Sequence, residues 1–229
     1  MTHSHHVAAR TARQFGAGLR ALIALTVLCG VLYPLTVTGI AQLAFPGRAN
    51  GSQLKDDSGR VVGSELIGQR FDLPRKNPDD PGETPVPDLR WFQPRPSAGL
   101  TAHGAGPRSA LLVSGATHLS GDNEVLLRAV RDARAAVIED NTAAGHRPAP
   151  ADVPAEAVTS SGSGLDPHIP PGYAALQIRR VAERNHLAVD EVRALVEAHT
   201  DGRILGFVGE PRVNVLRLNV ALKALLGTR

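Results

Sequence analysis

Cysteine is almost missing from this 229-residue chain: Cys29 is its one example. No intrachain disulfide and no cysteine-based metal cluster can form, so any soluble part must stand on its apolar core alone. Aromatics are scarce too, with one Trp, two Tyr and five Phe, which leaves that core to Leu, Val, Ile and Ala. The net charge of +3 and pI near 9.5 come without Lys/Arg blocks or interleaved aromatics, which argues against a nucleic-acid surface.

Catalytic templates are lacking as well. The most chemical-looking stretch is "SSGSGLDPHIPPGY", residues 160–173. A dinucleotide-binding GxGxxG needs glycine at 167, where Pro167 stands. A phosphate-binding P-loop needs a Gly-Lys-Ser/Thr run, and no lysine is near. A serine nucleophile elbow at Ser163 needs glycine where Ser161 stands. No HExxH occurs. Asp166 and His168 are only two donors, too few for a metal site, and none is assigned. Ser163, Asp166 and His168 form a triad only by folding back tightly. The stretch reads as a rigid turn, with Gly162 and Gly164 permitting positive φ and Pro170–Pro171 entering a helix. A strand, glycine-rich turn and helix start can still hold an anion through backbone N–H groups. Ser161, Gly162, Ser163, Gly164, Asp166 and His168 are therefore nucleotide- or partner-contact candidates, and no catalytic residue is assigned.

What the chain does have is a long uncharged run. From Ala21 to Phe45 there is no charged residue, and such a helix reaches roughly 38 Å against a hydrocarbon core of ~30 Å. We read residues 19–45 as a membrane-spanning helix, bent or tilted at Pro34, with Gly30, Gly39 and Ala41 allowing close approach of another helix. A cleaved signal peptide fits less well. Arg10, Arg13 and Arg20 make a passable basic start, but the run is long and its best cleavage motif, residues 39–41, comes late. The same arginines put residues 1–18 in the cytoplasm, as a frayed tail that includes the His-rich run at 3–6, and residues 46–229 outside.

Beyond the span, strand-like runs at Ser52–Leu54 and Arg60–Val62 flank a "DDSG" turn, and Asn50 marks an entry turn. Residues 72–110, rich in proline, read as an irregular loop anchored by "WFQPRPSA" at 91–98. Asp122 and Asn123 are both N-cap types, and the helix after them is striped by Leu126, Ala129, Val130, Ala133 and Val137. Arg128, Arg131 and Arg134 fall on its solvated side. Ala157–Ser160 is a short strand candidate. Helices follow at Tyr173–Asn185 and Asp190–Thr200, then a buried strand at 204–208 ("ILGFV"), and a last helix capped by Asn214. The fold class is α+β: one N-terminal transmembrane helix followed by one mixed α/β extracytoplasmic domain.

Three blocks, "YPLTVTGIAQLAFPGRANGSQL…VVGSELIGQRF", "SGSGLDPHI" and "VRALVEAHTDGRILGFVGEPRVNVLRLNVAL", together resemble the KdpC family, the C subunits of Kdp high-affinity potassium-transporting P-type ATPases. The resemblance covers nearly all the chain after Leu19 and includes "RPSA" at 95–98. It implies a non-catalytic accessory subunit that works with a potassium-channel-like A subunit, an ATP-hydrolysing B subunit and a small F subunit. It further implies help in assembly and a catalytic-chaperone role, raising the ATP affinity of the B subunit. ATP association comes from the resemblance alone, and no covalently bound cofactor is expected. Two departures stand out: "SGATHLSGDNE" at 114–124 replaces the usual loop, and residues 72–90 look like an insertion. The rival readings are an anchored hydrolase using Ser163, Asp166 and His168, and an anchored ligand-binding module.

Overall fold

The computed structural model describes residues 2–77, 80, 83–97 and 114–228, with side chains from Arg13 onward. The side chains of the His-rich run at 3–6, Ala98 and residues 99–110 of the irregular stretch lie outside the described residues. The chain forms two units, Met1–Ser52 and Gln53–Arg229.

The first unit is helical. Helix α1 (Thr2–Val27) begins well before the apolar run, so the tail expected to be frayed is helical. One π-helical turn (Leu28–Leu32) joins it to α2 (Tyr33–Ala44). Pro34 explains the turn: it has no N–H for the carbonyl four residues back, and the ladder widens just before it. Tyr33 N–H accordingly reaches back to Leu28 O. Arg13–Ala44 is long and apolar enough to cross a membrane, and none of its apolar window is buried within the chain. A Cβ added at Gly39 would meet nothing within 4 Å, and at Gly30 only Thr26 at 4.0 Å. Phe45 ends the helix, α3 (Pro46–Ala49) adds one turn, and the Asn50 side chain exchanges hydrogen bonds with Gln42 at 3.2 and 3.3 Å. Asn50 thus fixes the expected entry turn.

The second unit is α+β. Strands β1 (Gln53–Lys55) and β2 (Val61–Ser64) form the expected hairpin, shifted by one or two residues. Its turn is organised by Asp56, whose carboxylate accepts from Ser58 N, Ser58 Oγ and Arg60 N. Gly63 presses so close to Leu216 and Gln69 that a Cβ there would stand 2.6 and 2.8 Å from their side chains. Helix α4 (Glu124–Asp140) is capped as expected: Asn123 Oδ1 accepts from Val125 N and Leu126 N. Of its stripe only Val137 is buried, beside Ile138 from outside the stripe, while Ala129 is exposed.

Helices α5 (Pro171–Arg184) and α6 (Val189–Ala198) pack as a pair, and α7 (Val215–Gly227) starts at the Asn214 cap, where Asn214 Oδ1 accepts from Arg217 N at 3.1 Å. Between them β3 (His168–Ile169), β5 (Arg212–Asn214) and β4 (Thr200–Asp201) form a small antiparallel sheet in the order β3-β5-β4. The core gathers Phe92, Ile169, Val181, Val192, Val213, Leu218 and Leu222.

Two expected strands are absent from their places. Ala157–Ser160 is not extended: Pro154 precedes a single 3₁₀ turn, Ala155–Ala157, and Val158 drops into the core. Residues 204–208 are neither a strand nor buried. Leu205 and Gly206 both take positive φ (53 and 81), which reverses the chain inside the apolar run and exposes it.

The irregular stretch owes its order to side chains. Residues 90–93 run beside α5 and α7 without a strand partner, yet each carbonyl is met. Asn185 donates to Arg90 O at 2.7 Å and Arg180 to Trp91 O at 2.9 Å. Asn219 donates to Phe92 O at 2.9 Å and Gln177 to Gln93 O at 3.1 Å. In return Asn219 Oδ1 accepts from Phe92 N at 3.0 Å and Gln177 Oε1 from Gln93 N at 2.7 Å. Two buried amide side chains thus replace a neighbouring strand, as buried backbone groups require. The Trp91 anchor is half-buried against Phe71 (ring centroids 6.1 Å apart), whereas Phe92 is fully buried.

Candidate functional site

The 160–173 loop leads into β3 and α5, and local chemistry shapes it. Gly164 takes φ 67 and its N–H closes a turn on Ser161 O at 3.2 Å; Gly162 does not use the left-handed region. Ser163 Oγ accepts from Leu165 N at 3.1 Å and lies 3.5 Å from Ser161 Oγ. Asp166 Oδ1 accepts from His168 N at 2.9 Å and stands 3.4 Å from His168 Nδ1. Pro171 then opens α5 from an N-cap at Pro170.

Four outside segments hold this loop. Ser163 O accepts from Gly115 N at 2.8 Å and Ser114 Oγ at 3.1 Å, joining it to the 114–124 segment. Leu165 O accepts from Gly68 N at 2.8 Å and Pro167 O from Val215 N at 3.0 Å. Arg95 donates to Thr159 O at 3.2 Å and reaches Asp166 at 3.5 Å. The loop is therefore the meeting point of four distant segments, and five of its six candidate residues are engaged in holding it. Gly162 and Ser163 are the exposed members, and nothing lies within 4 Å of a Cβ added at Gly162.

The structure brings Asp166 and His168 together but not Ser163 and His168. Ser163 Oγ accepts from Leu165 N and pairs with no histidine among the described residues, so the hydrolase reading gains no geometric support. Among the described residues no group of three or more His, Cys, Asp or Glu could hold a metal ion. Arg95 is the partner that local reading missed; its only signal was the "RPSA" match.

Asp166 has its carboxyl held below the usual range by the His168 hydrogen bond, with Arg95 adding to it against burial. A depressed folded-state value means stability that is full above the unfolded carboxylate value of about 4 and lost as pH falls through the lower one. Asp166→Asn is expected to cost about 0.5–1 kcal/mol at pH 7. The gap to the unmodified chain closes below pH ~4, a trend checked by denaturant titration at several pH values.

Beside the loop, Arg95 also lines a cleft of about 240 Å³ with Arg70, Ser97, Asp140 and Tyr173. Burial raises the Asp140 carboxyl and pushes the Tyr173 hydroxyl up to about 12.

The fold defines a class: a mixed α/β unit that follows one N-terminal helix long and apolar enough to cross a membrane. Comparison with known proteins gives the particular family. The family model "K+-transporting ATPase, c chain" (KdpC) matches residues 15–224. A Streptomyces avermitilis protein named "Potassium-transporting ATPase KdpC subunit" is 60% identical over 218 residues, spanning 95% of this chain and 96% of its own. Proteins of the same name from Streptomyces coelicolor (58% identical, 94% of each chain) and Mycobacterium tuberculosis (42%, 93% of this chain and 99% of its own) are also similar. The chain belongs to the KdpC family.

Proposed function

We propose that this chain is the accessory subunit that completes a potassium-transporting ATPase, raising the ATP affinity of the ATP-hydrolysing subunit without performing chemistry itself. The family match over residues 15–224 carries this reading. The helix from Arg13 to Ala44 is the anchor, with Gly30, Gly39 and Ala41 as its packing face toward a partner helix. Arg10, Arg13 and Arg20 set its N-terminus in the cytoplasm and residues 46–229 outside. Its partners are the channel-like A subunit, the P-type B subunit and the small F subunit.

An extracytoplasmic domain meets little ATP, so the effect on ATP affinity runs through linkage. A subunit that binds the ATP-loaded state of its partner more tightly raises ATP affinity by the same factor, without touching nucleotide. The loop from Ser161 to His168 then serves as a partner-contact surface, with Gly162 as its open point, in keeping with the failure of every nucleotide template there.

The test is potassium-dependent ATPase activity of membranes with and without this chain. Omitting it is expected to raise the KM for ATP about 5- to 150-fold, the range of ordinary allosteric coupling. An unchanged KM with the chain removed overturns the reading.

A further inference from the structure

The connection from β4 to β5 carries an apolar tip that the core does not use. Ile204, Leu205, Phe207 and Val208 are 58, 81, 74 and 46% exposed. The tip is built rather than loose. Ile204 and Val208 exchange backbone hydrogen bonds at 2.9 and 3.0 Å, and Gly206 N donates to Arg203 O at 3.2 Å. Arg203 and Glu210 pair at 3.2 Å across its base. Leu205 is held at φ 53, a left-handed conformation that is strained for a residue with a side chain. A strained leucine directed outward beside an exposed phenylalanine is an arrangement that a lone soluble domain gains nothing from.

We propose that this tip seats in an apolar recess of another subunit of the transport ATPase, a proposal that rests on the accessory-subunit reading above. Charge decides between protein and lipid. Membrane-surface elements pair apolar residues with free Lys/Arg and with interfacial Trp or Tyr. Here Arg203 is taken by Glu210, Arg217 lies 3.9 Å from Asp201 and 3.7 Å from Glu65, and the exposed Arg212 stands opposite Asp201 in the β4–β5 register, so three arginines face three carboxylates. The tip holds neither Trp nor Tyr, and a rim of balanced charge around an apolar centre is the pattern of a protein interface.

Area decides between a partner subunit and a second copy. Free dimers bury about 800 Å² on each side, beyond what a five-residue tip offers. A chain already held to its partner by a packed helix needs far less, because the second contact forms at high effective concentration. Only residues 45–52 separate α2 from β1, so the tether is short.

The experiment uses the full chain assembled with its ATPase subunits in native membranes. A benzophenone amino acid replacing Leu205 is expected, on illumination, to give an adduct with one other ATPase subunit. Leu205→Glu combined with Phe207→Glu is expected to cut the chain's recovery with the tagged ATP-hydrolysing subunit at least tenfold, with Trp91 fluorescence unchanged because the tip is outside the core. Adducts with lipid or with a second copy of this chain, no adduct, or undiminished recovery of the variant overturn the proposal. If the unmodified chain itself fails to co-purify, the accessory-subunit reading falls instead.

Discussion

Replacing Gln177 by leucine is expected to destabilise the second unit by about 3–5 kcal/mol, and Asn219→Leu by about 2–4 kcal/mol. Leucine is close in volume to both amides, so the loss comes from hydrogen bonds and not from a cavity. Asn219 meets the N–H and C=O of Phe92, both deep in the domain. Without it, two buried backbone groups lack partners, at about 1–3 kcal/mol each. Gln177 meets both groups of Gln93, and its carbonyl also accepts from the buried Arg180 guanidinium at 2.7 Å. Its loss leaves a charged donor unsatisfied as well, which sets the order Gln177 above Asn219. Asn185→Ala removes a contact to Arg90 O at the surface and should cost under about 1 kcal/mol, since water takes its place. The double variant Gln177→Leu/Asn219→Leu should cost less than the two changes added together, because both act on adjacent residues of one segment. Denaturant unfolding of the full chain in detergent, followed by Trp91 fluorescence, measures the series. Changes below 1 kcal/mol for both buried amides would show that the segment is not held by them.

That pair of amides marks the boundary of what the sequence discloses. Elements set by neighbours in the chain are legible: the Asp56 hairpin turn, the Asn123 and Asn214 caps, and the stripes of α5 and α6 each depend on residues within a turn or two. The clamp on residues 92–93 joins positions 127 and 84 apart, and an isolated Asn or Gln on a helix carries no periodic signal of such a role. Strands β3, β4 and β5 are two or three residues long, too short for alternation to register. The apolar run 204–208 failed as a strand because periodicity counts hydrophobicity, whereas Gly206 decides the path. The site divides along the same line. The Asp166–His168 contact spans only two residues, whereas Arg95, 71 positions from Asp166, meets it only when the chain has folded.

Phe92→Ala should lower stability by about 3–5 kcal/mol, the cost of removing a large buried side chain together with the cavity it leaves. Phe92 is completely buried and belongs to the main cluster, in a chain that has only five phenylalanines with which to fill space. Its backbone is pinned by Asn219, so the segment cannot easily slide inward to close the void, and the upper part of that range applies. For a unit of this size the change corresponds to a fall in Tm of roughly 6–20 °C, at 2–4 °C per kcal/mol. Phe92→Leu, which keeps much of the volume, should recover more than half of the loss. A fall of only a few degrees for Phe92→Ala would mean that residues 90–93 lie on the core instead of in it, and that the clamping amides hold a surface strap. The position also bears on the proposed partner contact. The same segment continues through Pro94 to Arg95, whose guanidinium reaches Thr159 O and Asp166. Loosening Phe92 therefore releases one of the braces of the 160–168 loop. The variant should be impaired in partner association at temperatures where the domain is still folded, and recovery of the chain with the ATPase subunits below its Tm measures that loss.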